Sequence, residues 1–306
     1  GVIVSSRTIE VMSFDLPTWV VPYALWSGHR APANWPANDT LPNMRQWLRD
    51  MRRISVIHEA PHEALPTSLS MPHEASQANA LGWDFADGCV PWAAKAAVEQ
   101  HLSSDKSAWS FVTLCNWHVS NGQVTMGDPA HLQIDANTDA QLFEAMQVFF
   151  VQDGIALYPY APGQWLAQSD VFANLPTASL DRVIGRNIDP WLVGGATPTG
   201  PATLLRRLQN EMQMLLYTHA LNDARSARGQ APINGFWISG TGSPIAAGAQ
   251  APLSVDPLHT LLAQSRAHWG PISPHAIYID TLTVSALNDD PQAWTQAWQT
   301  LDAQVF

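Results

Sequence analysis

The chain has 306 residues, of which 13% are charged and 46% apolar, and its formal net charge is -11. A chain of this length buries well over half of its unfolded surface without covalent staples, so a disordered chain and a disulfide-scaffolded miniprotein are both excluded. The acidic balance repels a phosphate backbone and argues against nucleic acid as a partner. Cys89 and Cys115 are too few for a disulfide framework or a closed all-cysteine zinc site, which fits a reducing compartment.

Gly1 to Asp15 has no basic region followed by an apolar run and a small-residue cleavage site, and no stretch approaches the ~20 apolar residues of a membrane span. The expectation is a cytoplasmic protein with no membrane partner. Gly1 in place of Met reads as an expression scar or a fragment, and residues before about Leu16 carry no fold argument.

Thr18 to Ala24 is apolar on both faces and reads as a buried strand, and Leu41-Pro42-Asn43 opens a helix with Met44, Trp47, Leu48 and Met51 at helical spacing. Ser55 to Ile57 reads as a short strand, followed by an irregular stretch and a helix that reaches Gly82 as its C-cap. Pro91 starts another helix, Trp109 to Leu114 is a strand, and Asn121-Gly122 is a hairpin turn into Gln123 to Met126. Asn137-Thr138 caps a helix with Leu142, Phe143, Met146, Phe149 and Phe150 on one face, and strands follow at Ile155 to Tyr158 and Gln164 to Ala167.

Thr203 to His219 has the clearest helical stripe, Leu204, Leu205, Leu208, Met212, Leu215 and Leu216, which reads as core rather than as a cofactor surface. Gly235 to Ser239 and His275 to Ile279 read as strands, and Pro291 begins a closing helix bearing Trp294, Trp298 and Leu301. Thr197 to Pro201 and Thr241 to Pro252 are Gly- and Pro-rich loops. The ends are α/β and the middle is an inserted α+β unit, which divides the chain into a first core part (16–88), an inserted domain (89–232) and a second core part (233–306).

Three patterns bear on chemistry. His58-Glu59-Ala60-Pro61-His62 satisfies the H-E-x-x-H string of zinc peptidases, but that chemistry needs an unbroken helix and Pro61 breaks one. The residues read instead as a polar loop, with zinc on His58 and His62, or a metal on scattered members of the His-Glu cluster, as the alternative. Cys115-Asn116-Trp117-His118 sets a thiol and an imidazole three positions apart, the pattern of a thiolate nucleophile, yet on a continuing strand they point to opposite faces and describe a packed thiol. Ser239-Gly240-Thr241-Gly242-Ser243 either presents backbone N–H groups to an anion or makes a tight turn.

Thr218-His219-Ala220-Leu221-Asn222-Asp223-Ala224-Arg225, then Gly229, Pro232, Asn234 and the strand into Gly240-Thr241-Gly242, resembles the H-x-x-N-E-A-R … P-x-N … G-x-G block of archaeal-type cofactor-independent phosphoglycerate mutases. The segment Phe111 to Met146 resembles that family's C-N-F-A-T-V … G … D-R-x-A-G-R-I stretch, and Ala178 to Pro190 resembles the stretch ending in D-P-H. The order of blocks agrees over roughly Trp19 to Gly242, with greatest similarity to the branch labelled RpfE-type regulatory proteins. The resemblance implies an alkaline-phosphatase-like core sheet flanked by helices, with an inserted α+β domain. Within the block, Asn222, Arg225, Gly240 and Gly242 are the positions for ligand contact, while His219, Asn222 and Arg225 are expected to serve shape rather than catalysis.

The chain departs from the family's catalytic pattern. The first core strand ends Val21-Pro22-Tyr23-Ala24 without the metal-binding Asp. Counting nine residues back from Gly82 in Leu81-Gly82-Trp83-Asp84 places His73 at the phosphorylated Ser, with Glu74 in place of an Asp, and D-P-H reads Asp189-Pro190-Trp191. The family's D-x-x-G-H and D-H-S patterns are missing after Gly242. Phosphoryl transfer in this fold relies on two divalent cations. The expectation is therefore a metal-free, non-catalytic regulatory or ligand-binding protein, with no cofactor and with a small phosphorylated ligand or a protein as partner. The alternative is an active mutase or phosphatase-type enzyme, using manganese or magnesium and an altered site of His73, Glu74, His118 and Asp128.

Overall fold

The computed structural model describes residues 2–5, 18–22, 24, 41–49, 68–102, 107–120, 122–244 and 276–304. The chain begins with strands β1 (Val2–Ser5) and β2 (Thr18–Pro22) and helices α1 (Pro42–Arg49), α2 (Pro72–Ala80) and α3 (Trp92–Glu99). Strands β3 (Trp109–Cys115), β4 (Trp117–Ser120) and β5 (Gln123–Met126) precede helix α4 (Ala136–Gln152), strands β6 (Ala156–Ala161) and β7 (Gln164–Gln168), and helices α5 (Leu180–Val183), α6 (Pro201–Tyr217) and α7 (Ala220–Ala227). Strands β8 (Gly235–Gly242) and β9 (Ala276–Tyr278) and helices α8 (Thr283–Leu287) and α9 (Pro291–Gln304) complete it. Two units divide these elements: Gly1–Pro66, Met71–Asp84 and Ala247–Phe306 make the first, and Thr67–Ser70 with Phe85–Ala246 make the second.

The first unit holds a parallel sheet in the order β1-β2-β9, with Val20 opposite Ile3 and Tyr278. Consecutive residues of a strand face opposite ways, and both Val20 and Val21 are buried, so the central strand is covered on both sides, as its continuous apolar run requires. Val21, Met71, Ile279, Leu282, Trp294, Trp298 and Leu301 share one core. The two tryptophan rings on α9 meet edge to face at 6.2 Å, a favoured aromatic geometry. Asp290 caps α9 by accepting the N–H groups of Gln292 and Ala293 at 3.1 and 3.0 Å.

In the second unit a four-stranded antiparallel sheet runs β6-β7-β3-β8. Alternation along β3 and β7 serves both faces. Val112, Leu114, Trp165 and Ala167 join Leu142, Met146 and Phe150 of α4 and Leu205, Leu208 and Met212 of α6, whereas Trp109 and Leu166 meet Ala93, Ala94, Ala96 and Ala97 of α3. The alanines let α3 lie close to the sheet. A separate hairpin pairs β4 with β5, Ser120 opposite Gln123 across a two-residue turn whose Gly122 has φ +77°.

Several expectations need correction. The resemblance leads one to expect Trp19 to Ala24, Gly235 to Ser239 and His275 to Ile279 in one core sheet. β2 and β9 do pair in parallel, but β8 is the edge of the antiparallel sheet, hydrogen-bonded to β3. The apolar pattern that marks a buried strand carries no information about which sheet receives it. β8 also runs to Gly242, with Gly240 and Thr241 together opposing Ser110 in a bulge, so the glycine-rich stretch is strand and not a turn. The cap of α4 is Asp135, accepting the Thr138 N–H at 2.7 Å, rather than Asn137-Thr138. Val2–Ser5, given no weight, pairs with β2. Ser55 to Ile57 lies outside the described residues.

Candidate functional site

His73 and Glu74 sit in the first turn of α2, which carries Pro72 at its first position and ends in paired reverse bonds: Trp83 N–H to the Ala78 carbonyl and Gly82 N–H to that of Asn79, both at 2.9 Å, with Gly82 at φ +73°. The Leu81-Gly82-Trp83-Asp84 stretch is thus a helix stop. Both side chains are buried, at 1% and 5% exposure. The Glu74 carboxylate accepts the Met71 N–H at 2.5 Å, reaching back over the helix start as a residue at the third helical position does when it caps.

His118 and Asp128 belong to the second unit. His118 is exposed on β4 opposite Thr125, and Asp128 caps the short 3-10 turn Pro129–Leu132 by accepting the Ala130 N–H at 2.9 Å. Cys115 is wholly buried at the end of β3, where burial pushes its thiol far up and the Trp117 indole opposes that only in part. A thiol held protonated is no nucleophile, so Cys115 packs rather than reacts. Half-buried Cys89 is also raised, first by burial and then by Asp87.

The helix and loop of the resemblance block form a knot of side-chain to main-chain bonds. Asn222 donates to the carbonyls of Leu216 and Ile233, each at 2.8 Å, and accepts the Ile233 N–H at 2.9 Å. Arg225 donates to the carbonyls of Ala231 and Leu132 at 2.8 and 2.7 Å, and burial lowers its pKa somewhat. His219 starts α7, its Nδ1 accepting the Leu221 N–H at 3.2 Å. Gly240 and Gly242, at φ +64° and +145°, lie against α3: a Cβ would stand 3.1 Å from that of Trp92 at position 240 and 2.8 Å from that of Pro91 at position 242.

Sequence reasoning missed a cavity of about 270 Å³ between α6 and the β4-β5 hairpin, lined among others by Trp117, Ile188, Asp189, Leu192, Arg206 and Gln209. Asp189, Leu192 and Arg206 also line a neighbouring hollow of about 550 Å³. Asn234 holds Trp117 at both backbone ends, accepting its N–H at 2.6 Å and donating to its carbonyl at 2.9 Å, and Gly235 leaves room for the indole, which a Cβ there would meet at 3.1 Å. Gln209, 4% exposed, donates Nε2 to the Phe236 carbonyl at 3.2 Å. The polar stripe Arg206, Gln209, Asn210 and Gln213 beside the apolar one on α6 is the signal that could have found it.

The resemblance implies divalent metal, which needs several imidazoles or carboxylates converging on one point. Among the described residues no three His, Cys, Asp or Glu side chains gather in that way, so these residues do not fit such a site; His58 and His62 lie outside them. No described helix is long and apolar enough to cross a membrane.

No protein-family model matches the chain, and no curated protein matches it significantly. Among solved structures it is similar to the cofactor-independent phosphoglycerate mutase of Thermoplasma acidophilum, with 14% identity over 90% of this chain and 81% of that one and a TM-score of 0.37. The PH0037 protein of Pyrococcus horikoshii is also 14% identical, over 74% of this chain and 61% of that one, with a TM-score of 0.36. Overlays this loose decide neither family nor activity.

Proposed function

We propose that the chain is a non-catalytic, metal-free relative of the cofactor-independent phosphoglycerate mutases, of the RpfE-type branch, that works as a regulatory or ligand-binding protein. The fold this reading carries is an alkaline-phosphatase-like core, to which β1, β2 and β9 belong, interrupted by an inserted α+β domain. The observation behind it is the state of α2: at the positions where the resemblance puts nucleophile and acid stand a buried His73 and a Glu74 whose carboxylate closes the helix start. A carboxylate committed to a backbone N–H is a structural group. The missing acid after β2 and Trp191 in place of a histidine point the same way.

The test is an assay with 3-phosphoglycerate and millimolar manganese or magnesium, paired with elemental analysis of protein purified without chelator. No turnover above background, no stoichiometric metal and no effect of His73→Ala are the expected results. Metal-dependent turnover that disappears in the His73→Ala protein would replace this reading with that of an active enzyme.

A further inference from the structure

Helix α6 has two stripes. Leu205, Leu208, Met212 and Leu216 enter the core, while Arg206, Gln209, Asn210 and Gln213, at i, i+3, i+4 and i+7, all line the 270 Å³ cavity. Because the Phe236 carbonyl can only accept, it sets the orientation of the Gln209 amide and leaves Oε1 a buried acceptor without a hydrogen-bond partner. Half-buried Arg206 gives one hydrogen bond, to the Gly195 carbonyl at 3.1 Å, and among the described residues it has no carboxylate within ion-pair distance. Exposed Asp189 lines the same cavity, and Trp117, Ile188 and Leu192 supply apolar wall.

From this set we infer that the cavity binds a small zwitterionic amino acid with an apolar side chain. The guanidinium of Arg206 matches the ligand's carboxylate, Asp189 takes the hydrogens of its ammonium group, and its side chain lies among Trp117, Ile188 and Leu192. A simple anion would be opposed by the carboxylate of Asp189. The inference deepens the ligand-binding reading above, and rests on it only for the chain's having a small-molecule ligand.

Titration calorimetry with L-phenylalanine, 3-phenylpropionate, which lacks the ammonium, and L-phenylalaninamide, which lacks the carboxylate, tests it on the whole chain. Saturable binding of L-phenylalanine is expected, weaker by about tenfold or more for each analogue and for the Arg206→Gln protein, and abolished when Leu192→Trp fills the cavity. Equal binding of 3-phenylpropionate, indifference to both substitutions in proteins with unchanged circular dichroism, or no binding up to about 10 mM overturns the inference. A parallel titration with 3-phosphoglycerate separates the two readings: binding of that compound alone sinks the amino-acid assignment and keeps a ligand-binding protein, whereas turnover sinks the non-catalytic reading and leaves the cavity result standing.

Discussion

Arg225 ties three segments together with one side chain: α7, on which it sits, the loop at Ala231, and the 3-10 turn ending at Leu132. Both bonds run from a cation to a neutral carbonyl, and the side chain is 3% exposed, so its removal strands the buried Leu132 carbonyl and loosens the part-buried bond to Ala231. Arg225→Ala is expected to cost about 2–4 kcal/mol in urea denaturation, and Arg225→Lys, which keeps the charge but not the fork, roughly half of that. Unchanged stability together with lost ligand binding would make Arg225 a binding residue. Asn222 works beside it, joining the C-terminal end of α6 to the start of β8 through Leu216 and Ile233. The spacing of these residues was legible in the sequence; their partners, up to 93 positions away, were not.

The contact between α3 and β8 shows how two elements can require each other's composition. Four alanines face the sheet from α3, and two glycines at the bulge of β8 accept the approach. At position 242 an added methyl would combine a positive φ with a 2.8 Å approach to Pro91, while at Gly82 the φ is +73° but nothing lies within 4 Å. Gly242→Ala should therefore cost about 2–3 kcal/mol and Gly82→Ala about 1 kcal/mol, compared by chemical denaturation. Equal costs would mean that packing against α3 contributes nothing at the bulge. By their sequence the glycines fit either an anion-binding loop or a tight turn, because a sequence shows that a Cβ is missing and not what occupies the space.

Across the whole molecule, the first unit depends on chain segments far apart in sequence. Leu41 offers α1 no capping side chain; instead Asp302 on α9 accepts the N–H groups of Asn43 and Met44 at 3.3 and 2.6 Å, and its own carbonyl accepts from the Asn43 side chain. Asp302 is 4% exposed and stands where the helix dipole favours a negative charge. Asp302→Ala is expected to destabilise the first unit by about 1–2 kcal/mol and to speed amide exchange in α1 and α9 without changing exchange in α4 and α6. Faster exchange in all four helices would show instead that the two units open together.

Local chemistry was open to reading in the sequence wherever it is short-ranged. Apolar periodicity located α4, α6, α9 and β2, Gly82 marked the stop of α2, and Asn121-Gly122 marked the β4-β5 hairpin, because dihedral preference and side-chain period act within a few residues. Tertiary structure alone decided the rest. It assigned β8 to the antiparallel sheet, capped α1 from α9, and gathered Trp117, Asp189, Arg206 and Gln209 around one cavity. Each of these is a contact between segments that only chain reversal brings together, and neither residue of such a pair carries a mark of the other.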